Sequence, residues 1–375
     1  MNKTVMLKET HSNNTQTLKG IGQSLWLDNI TRTLLDDGTL QNYINQYSVT
    51  GLTSNPSIFN EAIGGGAYDE AIQHKSAAGK TSEVIFTEIA LEDLRRTADL
   101  FRPIFDATEG VDGWVSMEVS PLLAADIEGS IAAAKSIHAQ ADRQNLFVKI
   151  PGTPEGVSAI EELIYVGIPI NVTLLFSSEQ YLAAANAYLR GIERRIADGL
   201  DPKVASVASI FVSRWDKAAN GQLPEDLHNR TGIAVAEVVY CRYCELLDSA
   251  RWKKLAAAGA KSQRLLWAST GSKDPQASET LYVEALAAPD TINTMPEKTL
   301  KAYADQGVLS GLMQKDGGDD ASVLERIAKA GVDIDAVASQ LQREGADAFI
   351  KAWNELLSRI TSKSNISLGT DKVQG

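Results

Sequence analysis

Eight short β-like runs, each followed by a segment with helical periodicity, are the feature of this 375-residue sequence that most restricts its fold. Apolar residues that recur every three or four positions predict amphipathic helices, and the short runs between them predict strands. Parallel strands need crossover connections of roughly a dozen residues or more, and these segments are long enough. The pattern therefore predicts an α/β fold, a single closed (β/α)8 TIM barrel. The predicted strands cover residues 24–30, 49–55, 114–119, 145–150, 169–176, 204–212, 264–270 and 291–294.

The two ends of the chain are predicted to differ from the barrel. The polar residues 1–20 predict a flexible N-terminal segment, and residues 21–375 predict one barrel domain. The long connection between residues 56 and 113 predicts two helices. The helical segments after residue 294 are interpreted as the last barrel helix and additional C-terminal helices that pack on the outside.

The charge balance argues against two classes of partner. The chain has 48 acidic and 36 basic residues, a formal net charge of -12. An acidic surface repels phosphate backbones and anionic lipids, so neither nucleic acid nor a membrane is an expected partner. No apolar run reaches membrane-helix length, and the polar start lacks the core of a signal peptide. These features predict a cytoplasmic protein.

Metal and redox chemistry are also disfavoured. Cys241 and Cys244 have C-x-x-C spacing, but they lie on one face of a predicted helix without a second ligand pair. A sequence with only these two cysteines agrees with a reducing compartment. The four histidines are scattered without metal-ligand spacing. No metal is therefore expected.

Polar residues fall on the same face of several predicted strands. Side chains of a small barrel alternate between the lumen and the surrounding helices. In VSMEVS, for example, Ser116 and Glu118 lie opposite Val115 and Met117. The apolar face is expected to pack on helices, so the polar face is expected to line the lumen. The set predicted to face the lumen is Asp28, Asn55, Glu118, Lys149, Asn171, Thr173 and Ser209.

Lys149, in the run NLFVKIPGT, suggests a reaction. An enclosed lysine loses hydration, which favours its neutral amine, and a neutral amine attacks carbonyl carbons to form a Schiff base. Glu118 and Asp28 would then supply the proton transfers. One alternative is a satisfied polar network that only stabilises the barrel. Another is a sugar-phosphate-binding protein without turnover.

Six motifs in order along the chain carry a family resemblance. They are LTSNPSIF, VSMEVSP, NLFVKIPGT, PINVTLLFS, ASIFVSRWD and NTMPEKTL. With them the sequence resembles the transaldolases, in particular their longer bacterial subfamily, which are class I aldolases on an (α/β)8 barrel. The resemblance implies transfer of a dihydroxyacetone unit from sedoheptulose 7-phosphate or fructose 6-phosphate to an aldose phosphate, glyceraldehyde 3-phosphate or erythrose 4-phosphate. This reaction belongs to the non-oxidative pentose phosphate pathway and uses neither a metal nor an organic cofactor.

The resemblance also implies four catalytic roles. Lys149 would be the Schiff-base lysine. Glu118 would be an acid/base acting through a water that Thr173 helps to hold. Asp28 would take and return the proton of the hydroxyl at the bond that is cleaved.

Further residues would bind the substrate. Asn55 and Asn171 would hold hydroxyls of the dihydroxyacetone unit, and Phe211 would form a wall of the pocket. Ser209 and Arg214 would bind the substrate phosphate.

The sequence departs from the family after the seventh strand. Many members have a second phosphate-binding arginine there, in the context Ala-Ser-Phe-Arg, whereas this chain reads LLWASTGSKDP. Lys273 is the candidate substitute.

An aldolase on the same barrel that releases free dihydroxyacetone is the alternative function. The family also suggests a possible homodimer.

Overall fold

Eight parallel strands close into a barrel in their sequence order. The computed structural model describes residues 14–318 and 320–370. The strands are β1 (Ser24–Asp28), β2 (Val49–Thr53), β3 (Val115–Glu118), β4 (Leu146–Pro151), β5 (Ile170–Leu175), β6 (Ser206–Phe211), β7 (Gln263–Ala268) and β8 (Ile292–Met295). β8 pairs with β1, which closes the ring. The predicted (β/α)8 barrel with additional C-terminal helices is confirmed.

Helices surround the strands. In the described part they are α1 (Thr15–Gly20), α2 (Arg32–Asp36), α3 (Thr39–Gln46), α4 (Pro56–Gly64), α5 (Asp69–Ala77), α6 (Ser82–Ala107), α7 (Ile127–Ala141), α8 (Pro154–Tyr165), α9 (Ser178–Ala197), α10 (Ser213–Ala219), α11 (Thr231–Asp248), α12 (Ala250–Ala257), α13 (Leu281–Ala285), α14 (Glu297–Gln306), α15 (Asp320–Lys329) and α16 (Ile334–Thr370). None of those within the described ranges is long and apolar enough to cross a membrane.

Side-chain caps start several barrel helices directly after a strand. Asn55 accepts a hydrogen bond from the third residue after it and begins α4, as Thr153 does for α8 and Ser177 for α9. A capping oxygen satisfies one of the free N–H groups at a helix start. These short strand-to-helix turns keep the C-terminal strand ends open to a central space.

Two parts of the chain differ from the sequence expectations. The connection from β2 to β3 contains three helices, α4 to α6, because the predicted first helix is interrupted at residues 65–68. Residues 15–20, assigned above to the flexible segment, form α1, and Leu18 on it is fully buried. Residues 1–13 lie outside the described residues.

Aromatic side chains fill the lower lumen. Trp26 is fully buried, and its Nε1 donates to Asp112 Oδ1 at 2.8 Å. The rings of Phe147 and Trp114 stack with centroids 4.0 Å apart. Gly51 faces Trp26 so closely that a Cβ there would lie 2.5 Å from the indole Nε1. This packing closes the lumen below the polar layer.

The strand alternation, which would turn Leu174 toward the helices, fails at this residue. Its φ is 60°, and the pairing of β5 with β6 shifts between Val172 and Leu175. A bulge of this kind reverses the side to which following residues point. Leu174 therefore joins the apolar cluster that contains Phe211 and Phe349.

The last helix crosses the open end of the barrel. The C-terminal helices are predicted to pack on the outside, and α16 does contact the outer helices α4 to α6, but it also contacts α10 and the barrel strand β5. Gln342 Nε2 donates to Gly152 O and to Leu174 O, both at 3.0 Å. The apolar face of α16 that contains Phe349 is buried against the barrel mouth. Residues 342–349 are called the mouth segment below.

Candidate active site

The polar ends of the strands surround a cavity of about 230 Å³ at the barrel mouth. Eight of the predicted site residues line it, namely Asp28, Asn55, Lys149, Thr173, Ser209, Phe211, Arg214 and Lys273. The other two touch this lining. Glu118 contacts Lys149, and Asn171 contacts Ser209. The structure thus brings all ten predicted residues together.

Lys149 lies at the centre of this layer. Its residue is 5% exposed, and Nζ donates to Ser54 O at 3.0 Å. Nζ also lies 3.3 Å from Glu118 Oε1. β3 and β4 pair Glu118 with Lys149, and β4 and β5 pair Lys149 with Asn171, so the barrel register itself sets these neighbours. A buried cation is tolerated when an opposite charge compensates it.

Glu118 is a buried carboxyl whose oxygens can accept further hydrogen bonds. Burial raises its pKa above the ordinary value, and the charge of Lys149 opposes that rise. Neither of its oxygens accepts a well-aligned hydrogen bond from the described residues, and the Thr173 hydroxyl likewise has no such partner there. Glu118, Lys149 and Thr173 together line a smaller cavity of about 20 Å³. That volume accommodates one water molecule.

Asp28 faces the main cavity from β1. Burial raises its pKa, while a hydrogen bond from Thr53 and the charges of Lys149 and Lys273 oppose the rise. Thr53 Oγ1 donates to Asp28 Oδ1 at 2.7 Å. A raised carboxyl pKa brings proton uptake and release closer to neutral pH, which suits an acid/base group.

Asn171 and Ser209 form a hydrogen-bonded row across the lumen. Ser209 Oγ donates to Asn171 Oδ1 at 2.7 Å, and Asn171 Nδ2 donates to Ser116 Oγ at 3.1 Å. Asn55, the cap of α4, accepts from Ile58 N at 3.1 Å. These bonds fix the orientation of both amide side chains.

Two basic side chains line the outer part of the cavity. Burial lowers the pKa of Arg214 and that of Lys273. The charges of Arg214 and Lys217 lower the pKa of Lys273 further, whereas Asp28 raises it. The Arg214 guanidinium lies 5.3 Å from the centre of the Phe211 ring. Arg214 and Lys273 are both partly desolvated, and their like charges repel each other. A dianion bound beside them would relieve this repulsion, so the site suits a phosphate.

Several lining residues were not identified from the sequence. They are Thr53, Ser57, Ile58, Glu61, Leu266, Ala268, Ser269, Gly271, Thr294, Pro296 and Phe349. The barrel fold explains most of these positions, because the residues lie at or just beyond the ends of strands. Thr53, at the end of β2, pairs with Thr294 of β8 at 2.6 Å between hydroxyl oxygens. Phe349 comes from α16, and no local sequence pattern predicts that position.

The structure also bears on metal binding. Within residues 14–318 and 320–370, no group of three or more His, Cys, Asp or Glu side chains could hold a metal ion. Both cysteines are free thiols on α11.

Comparison with known proteins gives a consistent family. Residues 25–360 match the model of the family described as transaldolase/fructose-6-phosphate aldolase. A protein of Saccharopolyspora erythraea named transaldolase is 43% identical over 359 residues, covering 94% of this chain and 98% of that protein.

Other relatives cover the chain to a similar extent. A transaldolase of Arthrobacter sp. is 44% identical, covering 92% of this chain and 96% of that protein. A transaldolase of Trichodesmium erythraeum is 40% identical, with the same two coverages of 92% and 96%. The chain therefore belongs to the transaldolase/fructose-6-phosphate aldolase family.

Proposed function

We propose that this protein is a transaldolase that transfers a dihydroxyacetone unit from a ketose phosphate to an aldose phosphate through a Schiff base on Lys149. The observation that carries the proposal is a buried lysine, 3.3 Å from a buried glutamate, at the base of a cavity that also contains Asp28. The family match and relatives named transaldolase support transfer over release of free dihydroxyacetone.

Schiff-base formation begins when Lys149 gives a proton to Glu118, 3.3 Å away, and its neutral amine attacks the substrate carbonyl carbon. The resulting carbinolamine must lose its hydroxyl as water, which requires a proton donor. Glu118 suits this role because burial favours its protonated form. A water in the small cavity beside Thr173 would carry the proton between Glu118 and the reacting atoms.

Carbon–carbon bond cleavage then requires a base. Asp28 removes the proton from the hydroxyl next to the bond, the bond electrons move into the iminium, and an aldose phosphate leaves. The enamine that remains attacks the aldehyde of the acceptor, and Asp28 returns its proton to the new hydroxyl. Water then adds to the iminium carbon of the product, the C–N bond breaks, and the new ketose phosphate leaves Lys149. One carboxyl serves both directions because its raised pKa lowers the cost of holding the proton between steps.

The other side chains position the substrate. Asn55 and Asn171 bind hydroxyls of the three-carbon unit, and Ser209 orients Asn171 through its hydrogen bond. Ser209 stays a predicted phosphate ligand, since it lines the same cavity as Arg214. Arg214 and Lys273 bind the phosphate, as a bidentate fork and a point charge.

Two predictions about the cellular setting rest on the sequence. A cytoplasmic location agrees with two free thiols. Homodimer formation stays a prediction from the family resemblance.

Borohydride trapping tests the covalent step. The protein is incubated with fructose 6-phosphate, reduced with borohydride and analysed by intact and peptide mass spectrometry. We expect an adduct of dihydroxyacetone size on the peptide that contains Lys149, and none in Lys149→Ala. In parallel, formation of sedoheptulose 7-phosphate from fructose 6-phosphate and erythrose 4-phosphate measures transfer.

The controls separate the competing functions. Substrate binding by calorimetry without an adduct or turnover would favour a sugar-phosphate-binding protein. An adduct with release of dihydroxyacetone and no transfer product would favour the aldolase alternative.

A further inference from the structure

We propose that Phe349, on the mouth segment, determines how completely the enzyme transfers its three-carbon unit, because its ring limits the access of water to the Schiff-base intermediate. The proposal rests on the function proposed above. It assigns a specificity role to a residue outside the barrel strands and their loops.

Phe349 borders both cavities. Its ring lines the main cavity that contains Asp28 and Arg214, and also the small cavity of Glu118, Lys149 and Thr173. It is only 8% exposed, although it lies at the open end of the barrel. A shortened side chain at this position would therefore join the small cavity, sized for one water, to the larger space.

The mouth segment is held close to the strand ends by two features. Gln342 donates hydrogen bonds to the carbonyl oxygens of Gly152 and Leu174, which follow β4 and form part of β5. Gly345 allows a close approach, since a Cβ there would lie 2.9 Å from Leu174 Cδ2 and 3.3 Å from Arg214 Nη1. Phe349, one helical turn further on, is thereby placed over the cavities.

The chemistry explains why water access matters. After cleavage, the enamine on Lys149 either attacks an acceptor aldehyde or takes a proton on carbon and becomes an iminium. Water then adds to the iminium carbon with formation of a C–O bond, and the C–N bond breaks. The products are neutral dihydroxyacetone and the Lys149 ammonium. Transfer also ends with water adding to an iminium, that of the new ketose phosphate, so the two routes differ at the enamine carbon. Release requires water or another acid to deliver a proton to that carbon, whereas transfer forms a C–C bond there instead.

The test compares products of wild type, Phe349→Ala and Phe349→Leu with fructose 6-phosphate and saturating erythrose 4-phosphate. Free dihydroxyacetone and sedoheptulose 7-phosphate are measured in the same reaction. We expect the fraction of turnovers that release dihydroxyacetone to rise about tenfold in Phe349→Ala, equivalent to a relative barrier change of about 1.4 kcal/mol. Phe349→Leu should be intermediate.

Leu356→Ala is the matched control. Leu356 is fully buried on the same helix but lines neither cavity. This variant should be destabilised by its own cavity while its release fraction stays at the wild-type value.

The outcomes are distinguishable. Absence of both adduct and transfer in wild type would refute the proposed function itself. Normal wild-type transfer with an unchanged release fraction in Phe349→Ala would overturn the role of Phe349. If Phe349→Ala does not fold, an unchanged fraction in Phe349→Leu overturns it equally.

Discussion

Replacing Gln342 by alanine should loosen the mouth segment without changing any residue that lines the cavities. The side chain amide donates to Gly152 O and Leu174 O, both at 3.0 Å. Both residues are buried, so water replaces these bonds only when the segment lifts away. The substitution therefore acts on the equilibrium between the docked and lifted positions of this part of α16.

The size of the effect follows from the two bonds. A neutral hydrogen bond contributes a net 0.5–1.5 kcal/mol or so, which gives about 2 kcal/mol for the pair. A change of about 2 kcal/mol raises the lifted population about 30-fold. The strands beneath are unaffected, so the increase should be local.

Amide hydrogen exchange read by mass spectrometry measures this population. We expect faster exchange in peptides that cover residues 340–350 of Gln342→Ala, and unchanged exchange in peptides from β4 and β5. Dihydroxyacetone release should increase in the same variant, since lifting the segment also moves Phe349.

Gln340→Ala is the matched control on the same helix. Gln340 is exposed, and its amide donates a hydrogen bond to Glu344 of the same helix. Equal exchange in the two variants would refute the reasoning, because it would mean that the two carbonyl contacts do not hold the segment.

Three further predictions concern the barrel itself. Thr53→Val removes the hydrogen bond that lowers the pKa of Asp28, so that pKa rises; because cleavage needs the carboxylate, the acidic limb of the kcat/KM profile should move to higher pH. Lys273→Ala should raise KM for fructose 6-phosphate about tenfold, a loss of about 1.4 kcal/mol, with a smaller effect on kcat in steady-state assays. Gly51→Ala, whose Cβ would lie 2.5 Å from Trp26 Nε1, should lower the free energy of unfolding by about 1–3 kcal/mol in denaturant titrations.

Each of these has a control of the same residue type. Thr50→Val removes a hydroxyl from the same strand that bonds to Leu25 O, and the pH profile should not move. Lys253→Ala removes an exposed lysine outside both cavities, and KM should not change. Gly221→Ala places a Cβ with no atom within 4 Å apart from those of its chain neighbours, so stability should be retained. A control variant that changes the pH profile, KM or stability as much as its test variant does would contradict that prediction.

The catalytic layer could be predicted because strand periodicity is a local property. Alternation puts Glu118 and Lys149 on the lumen face of their strands, and parallel register then makes them neighbours. Lys273, in contrast, lies on a loop beyond the end of β7. Its place in the cavity depends on loop conformation, which periodicity does not describe.

Two features could not be predicted because they depend on distant parts of the chain. Leu174 has a left-handed backbone, which a leucine adopts only when surrounding structure compensates the strain. The path of α16 depends on whether its apolar face is buried by outer helices or by the mouth. Sequence periodicity identifies that face but not the surface it contacts.

The route of α16 has a consequence for how the protein is made. The bond from Gln342 to Gly152 joins residues 190 positions apart. During synthesis all eight strands leave the ribosome before the mouth segment does, so the barrel mouth is covered only at the end of chain elongation. Any event that shortens the chain before residue 342, whether premature termination or proteolysis, would remove the mouth segment together with the core residues Trp353, Leu356 and Ile360.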